Sequence, residues 1–325
     1  MAAFPQSFLD SVVAIGIGKG RKEREWIGTG FIVGKPEKHK SDTKRKGYRL
    51  FLVTNRHVFV NEQIVYIKFN SADGERSRDY PVPLIAENGK TRWIGHQDPD
   101  IDVAAIFLSP TFLHAEKREF NFIKSDIDLM TLNQMRESNV TEGDRIVVLG
   151  FPMGMVTRNR QYVICRGGVM ARVRDYLDGN GKVFLVDAAL FPGNSGGPVI
   201  LCPSLEDAEG KQSKSSARVI GIAKTVEGYQ KVAVSIETDK DLAYFYENSG
   251  LATVVPSDGI IETMALANNR LRNRIGREIH HGERAEFAED LELLPEPQIS
   301  FTRLKSATHK STVRKKAAIR RSKRG

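Results

Sequence analysis

Short runs of Val, Ile, Leu and Phe, each broken after a few positions by Gly, Pro, Asn or Asp, repeat from Phe8 to about Val234. No helical period spans these runs, and strands bounded by closely spaced turn residues are typical of an all-β barrel or sandwich. The clearest strand candidates are 11–16, 30–33, 50–54, 64–69, 103–108, 145–149, 183–187, 198–201 and 219–223. The 325 residues are about twice a typical domain, so two packed cores plus an extension are expected.

The pattern changes after Ser235. Thr238 followed by Asp241 fits a capping box and predicts a first helix at this point. A second helix is predicted over about 257–279, because apolar residues recur there every three or four positions.

Basic residues concentrate at the C-terminus. The formal net charge is +9, yet residues 303–325 hold ten of the 49 Lys and Arg residues and none of the 40 acidic ones, so the first 302 residues carry a net charge of −1. After Leu304 this tail buries too little apolar surface to offset ordering entropy and is predicted to be disordered. Two roles stay open for Arg303–Gly325: binding nucleic acid or another anionic surface, or only solvating the C-terminus.

Composition and targeting signals narrow the class of protein. With 40% hydrophobic and 27% charged residues, the chain is neither collagen-like, coiled-coil nor wholly disordered. No apolar run approaches the roughly 18 residues of a membrane helix, and the N-terminus lacks a secretory pattern. Two cysteines, Cys165 and Cys202, are too few for a disulfide framework. We expect a soluble, unprocessed cytoplasmic protein without a transmembrane segment; its oligomeric state stays open.

One serine lies in a glycine-rich segment, Gly193–Pro198 (GNSGGP). Glycine on both sides of Ser195 lets the backbone fold tightly around the hydroxyl, and the N–H groups of Gly193 and Ser195 are candidates to stabilise an oxyanion. The β-prone run Val199–Leu201 follows, which predicts a loop between strands.

A serine nucleophile needs a base, and that base needs an orienting carboxylate. His57 follows a predicted strand in a polar turn, and an imidazole exchanges protons near neutral pH. Asp102 is the last acid before a buried strand, where it can accept a hydrogen bond from the imidazole and hold its tautomer. Asp98 and Asp100 are expected to serve the turn.

These segments, in the order His, Asp, Ser, resemble the chymotrypsin-fold (trypsin-like) serine proteases, most closely the HtrA/Deg branch. The resemblance extends to about Ser235. The motifs that carry it are GTGFIV at 28–33, VTNRHV at 53–58, DVA at 102–104, GFPMG at 150–154, DAA at 187–189 and GNSGGP at 193–198.

The resemblance implies an all-β fold of two packed six-stranded antiparallel β-barrels with a C-terminal helical extension. The implied division is a first barrel at 1–130, a second barrel at 131–237, a helical extension at 238–297 and a disordered basic tail at 298–325. It also implies a serine endopeptidase without a cofactor, in which Ser195 attacks the peptide carbonyl, His57 transfers the proton and Asp102 orients His57. The first barrel would carry His57 and Asp102, the second Ser195, and the amides of Gly193 and Ser195 would form the oxyanion hole.

The resemblance further places a pocket for a protein or peptide substrate at six positions: Ala189, Ile222, Ala223, Lys224, Thr225 and Val232. Small side chains there predict an aliphatic residue on the acyl side of the scissile bond, although the charge of Lys224 favours an acidic group nearby. The chain also departs from the HtrA pattern. Residues after Ser235 show no sign of a PDZ domain, and no activation cleavage motif is evident.

Two alternatives remain. The GNSGG segment also satisfies the G-x-S-x-G elbow of α/β-hydrolases, although Gly196-Gly197-Pro198 blocks the helix that such an elbow needs. The other alternative is a non-catalytic adaptor with the protease fold, which binds nucleic acid or an acidic partner through its basic tail. No metal site is predicted, because His280 and His281 are adjacent and lack the spacing of zinc ligands.

Overall fold

The computed structural model describes residues 5–19, 23–38, 46–109, 113, 117–203, 216–234, 241–280 and 294–295. The predicted disordered tail at 298–325, with its basic segment Arg303–Gly325, lies outside these ranges.

The described residues form mostly strands. These are β1 (Val12–Lys19), β2 (Glu23–Lys38), β3 (Lys46–Thr54), β4 (Ile64–Ser71), β5 (Arg78–Pro83), β6 (Ile94–Gly95), β7 (Ala104–Phe107), β8 (Arg118–Glu119), β9 (Ile123–Lys124), β10 (Arg145–Gly150), β11 (Ile164–Arg172), β12 (Phe184–Ala188), β13 (Pro198–Leu201), β14 (Arg218–Val234), β15 (Asp241–Pro256) and β16 (Leu294–Pro295).

The first unit is a ten-stranded sheet in the order β5-β4-β1-β2-β3-β7-β6, with β8, β9 and β16 attached to β4, β2 and β3. Its pairs are antiparallel except for β9, which runs parallel to β2. The central strand β3 is apolar without alternation because both of its faces are covered. Leu50 and Leu52 pack inside the first unit, whereas Phe51 and Val53 pack in a core that the two units share.

The second unit is a closed barrel in the order β10-β11-β12-β15-β14-β13. Its interior is filled by inward-facing residues of these strands, among them Val148, Val186, Val199 and Val254. A barrel leaves no unpaired edge along its closed part, so its strands satisfy most of each other's backbone N–H and C=O groups. Val219 of β14 pairs outside the barrel, because its N–H donates to the Asp128 carbonyl and its carbonyl accepts from Met130 N, at 2.8 Å each.

The described residues also contain helices and a 3₁₀ turn at Pro152–Gly154. The helices are α1 (Gln6–Asp10), α2 (Arg56–Phe59), α3 (Leu132–Glu137), α4 (Arg174–Leu177) and α5 (Ser257–His280). The prediction of a helix over 257–279 is confirmed. Ile260 and Met264 of α5 pack into the shared core, while Asp258 accepts hydrogen bonds from Tyr176 Oη and Leu132 N at 2.8 Å each. Helix α5 therefore holds the two units together.

The predicted helix after Thr238 is wrong for residues 241–256, which form β15. This strand pairs with β14 along its length and with β12 over its second half, and Val254 is fully buried. Hydrogen bonds to two neighbouring strands and burial of β-branched residues outweigh the local helical pattern. The second barrel therefore extends to Pro256 rather than to residue 237, and the helical extension begins at Ser257.

The predicted all-β class with a C-terminal helix is confirmed. No helix within the described ranges has both the length and the hydropathy to cross a membrane. The esterase alternative is excluded by this fold, because the residues after Ser195 lead into β13 instead of a helix and the sheets are antiparallel.

Candidate active site

His57 lies on the single turn of α2, immediately after β3. The preceding Thr54 and Asn55 are fully buried, whereas half of the His57 side chain is exposed. A rigid strand end thus presents an accessible imidazole to the junction between the two units.

Asp102 lies directly before the buried β7, as the sequence predicts. Its carboxylate accepts two hydrogen bonds from His57, one from ring Nδ1 at 2.6 Å and one from the backbone N–H at 3.1 Å. The side chain of Asn55 donates to the Asp102 carbonyl at 2.7 Å. These contacts fix both the ring orientation and the tautomer with the proton on Nδ1.

Opposing effects act on the pKa of Asp102. Burial alone would raise it, but hydrogen bonds and charge from His57, together with the charge of Lys224, outweigh burial and hold the pKa below the ordinary value. Asp102 is therefore ionised at neutral pH.

The Ser195 loop is held in place by both units. Thr29 of β2 donates from its hydroxyl to the Gly193 carbonyl at 2.6 Å and from its backbone N–H to the Ser195 carbonyl at 2.9 Å. From the second unit, Gly196 N donates to the Ala223 carbonyl at 2.9 Å. Thr29 belongs to the GTGFIV motif, yet no sequence pattern assigned it this function.

The backbone amides of Gly193 and Ser195 have no hydrogen-bond acceptor among the described residues. The intervening amide differs, since Asn194 N donates to the Phe191 carbonyl at 3.0 Å. Buried or half-buried N–H groups are almost always paired, so two unpaired amides flanking one residue are a candidate site for an anion.

The Ser195 hydroxyl donates to the Lys224 carbonyl at 3.0 Å. Within the described residues this is the hydrogen bond that the hydroxyl makes, and His57 is not its partner. The Ser195 backbone nevertheless lies beside α2. A Cβ placed on Gly28 would lie 3.1 Å from Val58 Cγ1 and 3.4 Å from the Ser195 carbonyl oxygen. The structure thus joins His57 and Asp102 directly and brings Ser195 to the same junction.

The six predicted pocket residues differ in their surroundings. Ile222 is fully buried in the shared core, and Ala223 is buried in the barrel interior, because β14 is covered on both faces at this point. The substrate pocket at these positions stays a prediction. Val232 is exposed on the far part of β14, opposite Tyr244, while the Thr225 side chain lies outside the described residues.

The remaining two predicted pocket positions lie nearer the Ser195 loop. Ala189 is exposed, and its carbonyl accepts a hydrogen bond from Arg166 Nε at 2.7 Å. Lys224 contacts Ser195 through its backbone carbonyl. In the ranges that the structure describes, no three His, Cys, Asp or Glu side chains are grouped as a metal site requires.

The sequence profile of the trypsin-like peptidase domain matches residues 28–203. This range is more than half of the 325 residues and includes His57, Asp102 and Ser195. The chain belongs to the trypsin-like peptidase family. Membership of this family supports a peptidase, and therefore a hydrolase, function. No curated protein sequence matches this trypsin-like peptidase.

Several solved structures are similar to this trypsin-like peptidase at low identity. The MamO protease domain from Magnetospirillum magneticum (apo form) is 15% identical, with a TM-score of 0.40 and coverage of 78% of this chain and 96% of that one. The Rv3671c protease of M. tuberculosis H37Rv, in its inactive form, is 16% identical, with a TM-score of 0.38 and coverage of 81% and 91%. Human heparin binding protein is 13% identical, with a TM-score of 0.41 and coverage of 79% and 90%. The family assignment rests on the profile match.

We predict that Gly196→Ala strongly destabilises this trypsin-like peptidase. Gly196 has φ +87°, and an added Cβ would lie 2.0 Å from the Thr29 carbonyl oxygen and 2.3 Å from Thr54 Oγ1. Left-handed strain and a backbone clash together are expected to cost more than about 3 kcal/mol of unfolding free energy, measured by urea denaturation.

The matched control is Gly143→Ala. Gly143 has φ +91° but nothing within 4 Å of an added Cβ, so only the left-handed strain of about 1 kcal/mol is expected. Equal losses in the two variants would contradict the tight packing of the Ser195 loop against Thr29.

Proposed function

We propose that this trypsin-like peptidase is a serine endopeptidase acting through His57, Asp102 and Ser195. The observation that carries the proposal is the direct hydrogen bond between His57 Nδ1 and Asp102 at 2.6 Å, beside a loop that presents Ser195 and two unpaired amides. This arrangement supplies an oriented base, a nucleophile and a candidate oxyanion site.

In the proposed first step, the Ser195 oxygen forms a bond to the peptide carbonyl carbon while His57 Nε2 takes the hydroxyl proton. His57 then gives this proton to the leaving amine, and the C–N bond breaks to leave an acyl-enzyme. Water, activated by the same ring, hydrolyses the acyl-enzyme and restores Ser195. Asp102 stays ionised throughout and stabilises the imidazolium, which agrees with its lowered pKa.

In this mechanism the amides of Gly193 and Ser195 stabilise the negative charge that develops on the carbonyl oxygen of the substrate. Gly193 has φ +94°, and an added Cβ would lie 2.4 Å from the Phe151 carbonyl oxygen, so glycine is required there for the loop conformation. Donors that are already oriented need no reorganisation when the oxyanion forms, which is why such sites contribute strongly to catalysis.

The mechanism requires the Ser195 hydroxyl to exchange its acceptor. It donates to the Lys224 carbonyl in this structure and must donate to His57 when substrate is bound. Catalytic hydrogen bonds often tighten only in the complex with substrate.

We place the chain closest to the HtrA/Deg branch on its GNSGGP and VTNRHV motifs. The preference for an aliphatic residue on the acyl side of the scissile bond stays a prediction.

A fluorophosphonate probe tests this proposal on the full chain. Such probes form a covalent bond with an activated serine, so we expect Ser195 to be labelled and the other serines to stay unlabelled. The labelled residue is identified by peptide mass spectrometry. Prior incubation with unfolded casein is expected to slow labelling because substrate and probe compete. Absence of labelling, or labelling spread over exposed serines, would contradict the endopeptidase.

The hydrogen bond from Ser195 to the Lys224 carbonyl favours a second candidate. If the hydroxyl is held there permanently, His57 never takes its proton and the chain is a protease-fold adaptor. Its partner, nucleic acid or an acidic protein, would then bind the basic segment Arg303–Gly325, which lies outside the described residues. Ser195 would be inert toward the probe in that case.

A further inference from the structure

The side chain of Arg56 reaches into the turn that precedes Asp102. Its Nη2 donates to three backbone carbonyls, those of His96 at 2.8 Å, Asp98 at 3.1 Å and Ile101 at 3.1 Å. Nη1 lies 3.5 Å from a fourth carbonyl, that of Pro99. One guanidinium group therefore contacts four carbonyl oxygens of the same turn.

This turn ends at the catalytic carboxylate. Ile101 is the residue before Asp102, and its carbonyl is one of the acceptors of Arg56. Asn55 donates to the Asp102 carbonyl at 2.7 Å, and His57 donates to the Asp102 carboxylate. Three consecutive residues thus hold one turn and its last side chain, and Arg56 makes the largest number of these contacts.

An arginine is chemically suited to this position. Carbonyl oxygens that converge on one point repel each other unless a donor lies between them, and a planar guanidinium offers five N–H donors and a permanent charge. The site is also shaped for it, because a Cβ on Gly95 would lie 2.9 Å from Arg56 Nε. A side chain without donors would leave the His96 carbonyl without its partner, while the Asp98 and Ile101 carbonyls would keep only backbone donors, Ile101 N at 3.2 Å and Val103 N at 3.0 Å.

The turn also has backbone hydrogen bonds of its own, including His96 N to the Val103 carbonyl at 3.1 Å, and ion pairs at the surface. His96 pairs with Glu262 of α5 at 2.7 Å, and Lys182 pairs with Asp98 at 2.7 Å and Asp100 at 2.8 Å. Glu262, Lys182 and Asp100 are each more than half exposed, and exposed ion pairs contribute little. They do not replace a donor placed inside the turn.

We propose that Arg56 is a positioning residue that holds Asp102 in hydrogen-bond geometry with His57. The proposal rests on the proposed function for its effect on hydrolysis, although the effect on the His57–Asp102 hydrogen bond is independent of it. Arg56 acts through the 96–101 turn and does not touch the reacting atoms.

The test compares the wild-type chain with Arg56→Gln and Arg56→Lys. The readouts are kcat and KM for casein hydrolysis and the downfield ¹H NMR resonance of the His57 Nδ1 proton, assigned by its absence in His57→Ala. Arg56→Gln is expected to lose or shift this resonance and to lower kcat about 100-fold with KM within about threefold. Arg56→Lys keeps a charge and three donors, so it is expected to recover about tenfold in kcat.

Arg218→Gln is the matched control. Arg218 is half-buried like Arg56 and donates to a backbone carbonyl, that of Leu129 at 2.6 Å, far from Asp102 in the chain. It is expected to lower the melting temperature while the resonance and kcat stay at wild-type values. A folded Arg56→Gln protein with wild-type resonance and kcat would overturn the proposal. If the wild-type chain does not hydrolyse casein, the endopeptidase proposal fails, and the resonance alone decides the role of Arg56.

Discussion

Ser195→Ala is expected to lower kcat for casein hydrolysis by about 10⁴- to 10⁶-fold, because no other group can form the acyl-enzyme. The fold is expected to persist. The backbone contacts of Ser195, including the 2.9 Å hydrogen bond from Thr29 N to its carbonyl, do not involve the hydroxyl. Among the described residues, the only hydrogen bond removed is the one to the Lys224 carbonyl. Activity is measured as steady-state hydrolysis of casein. The amount of folded protein in each sample is measured from its unfolding transition.

Ser138→Ala is the control for this experiment. Ser138 is exposed at the end of α3, and its hydrogen bond to the Gln134 carbonyl comes from the backbone N–H, which alanine retains. Its kcat is expected to equal that of the wild-type chain. Equal residual activity in Ser195→Ala and the wild-type chain would show that the hydrolysis comes from a contaminant.

Asp102→Asn is expected to lower kcat by about 10⁴-fold. The amide is similar in size to the carboxylate, but it donates where the carboxylate accepts two hydrogen bonds from His57. The His57 ring then loses the tautomer with its proton on Nδ1. The effect is measured as kcat in the range of pH 5 to 8.

The lowered pKa of Asp102 predicts how stability depends on pH. A depressed carboxyl pKa means that the ionised form stabilises the native protein above the unfolded pKa of about 3.8 and that this stabilisation is lost as pH falls through the lower folded value. The free energy of unfolding of the wild-type chain is therefore expected to fall more steeply below about pH 3.8 than that of Asp102→Asn, as measured by urea denaturation. Equal slopes in the two proteins would contradict the lowered pKa.

Asp98→Asn is the matched control for Asp102→Asn. Asp98 lies in the same turn and accepts a hydrogen bond from Asp100 N at 3.0 Å, which an asparagine oxygen can also accept. It makes an ion pair with Lys182 instead of contacting His57. We expect kcat within about threefold of wild type, because exposed ion pairs contribute little. A loss as large as that of Asp102→Asn would assign the effect to the turn as a whole.

Sequence patterns predicted the parts of the site that depend on local residue type. The strand that ends before His57 and the acid before β7 lie where their patterns place them, and Asp102 does accept a hydrogen bond from His57. The glycines of the Ser195 loop also have a conformation that favours glycine, since Gly193 and Gly196 both have positive φ. The strand end, the acid and the glycine conformations depend on a few neighbouring residues, whereas the His57–Asp102 contact, across 45 positions, was expected from the chemistry that a serine nucleophile needs and from the resemblance to a family.

Features that depend on distant residues were not predicted. The segment after Thr238 has a helical pattern, yet pairing with β14 and β12 makes it a strand from Asp241 onward. The packing of Ile222 into a core that includes α5 was likewise not predicted. The hydrogen bonds from Arg56 to the carbonyls of the 96–101 turn could likewise not be predicted from the sequence, because these acceptors lie 40 to 45 positions away.

By itself the sequence indicated most strands before Ser235 and where glycine permits left-handed backbone, and it gave His57, Asp102 and Ser195 as candidates for a triad. Only the tertiary structure decided that the Ser195 hydroxyl donates to Lys224, that Thr29 holds the Ser195 loop and that Arg56 holds the turn before Asp102. The physical reason is that backbone preferences act over a few residues, whereas a buried polar group takes whichever partner the packing of remote segments brings within hydrogen-bond distance.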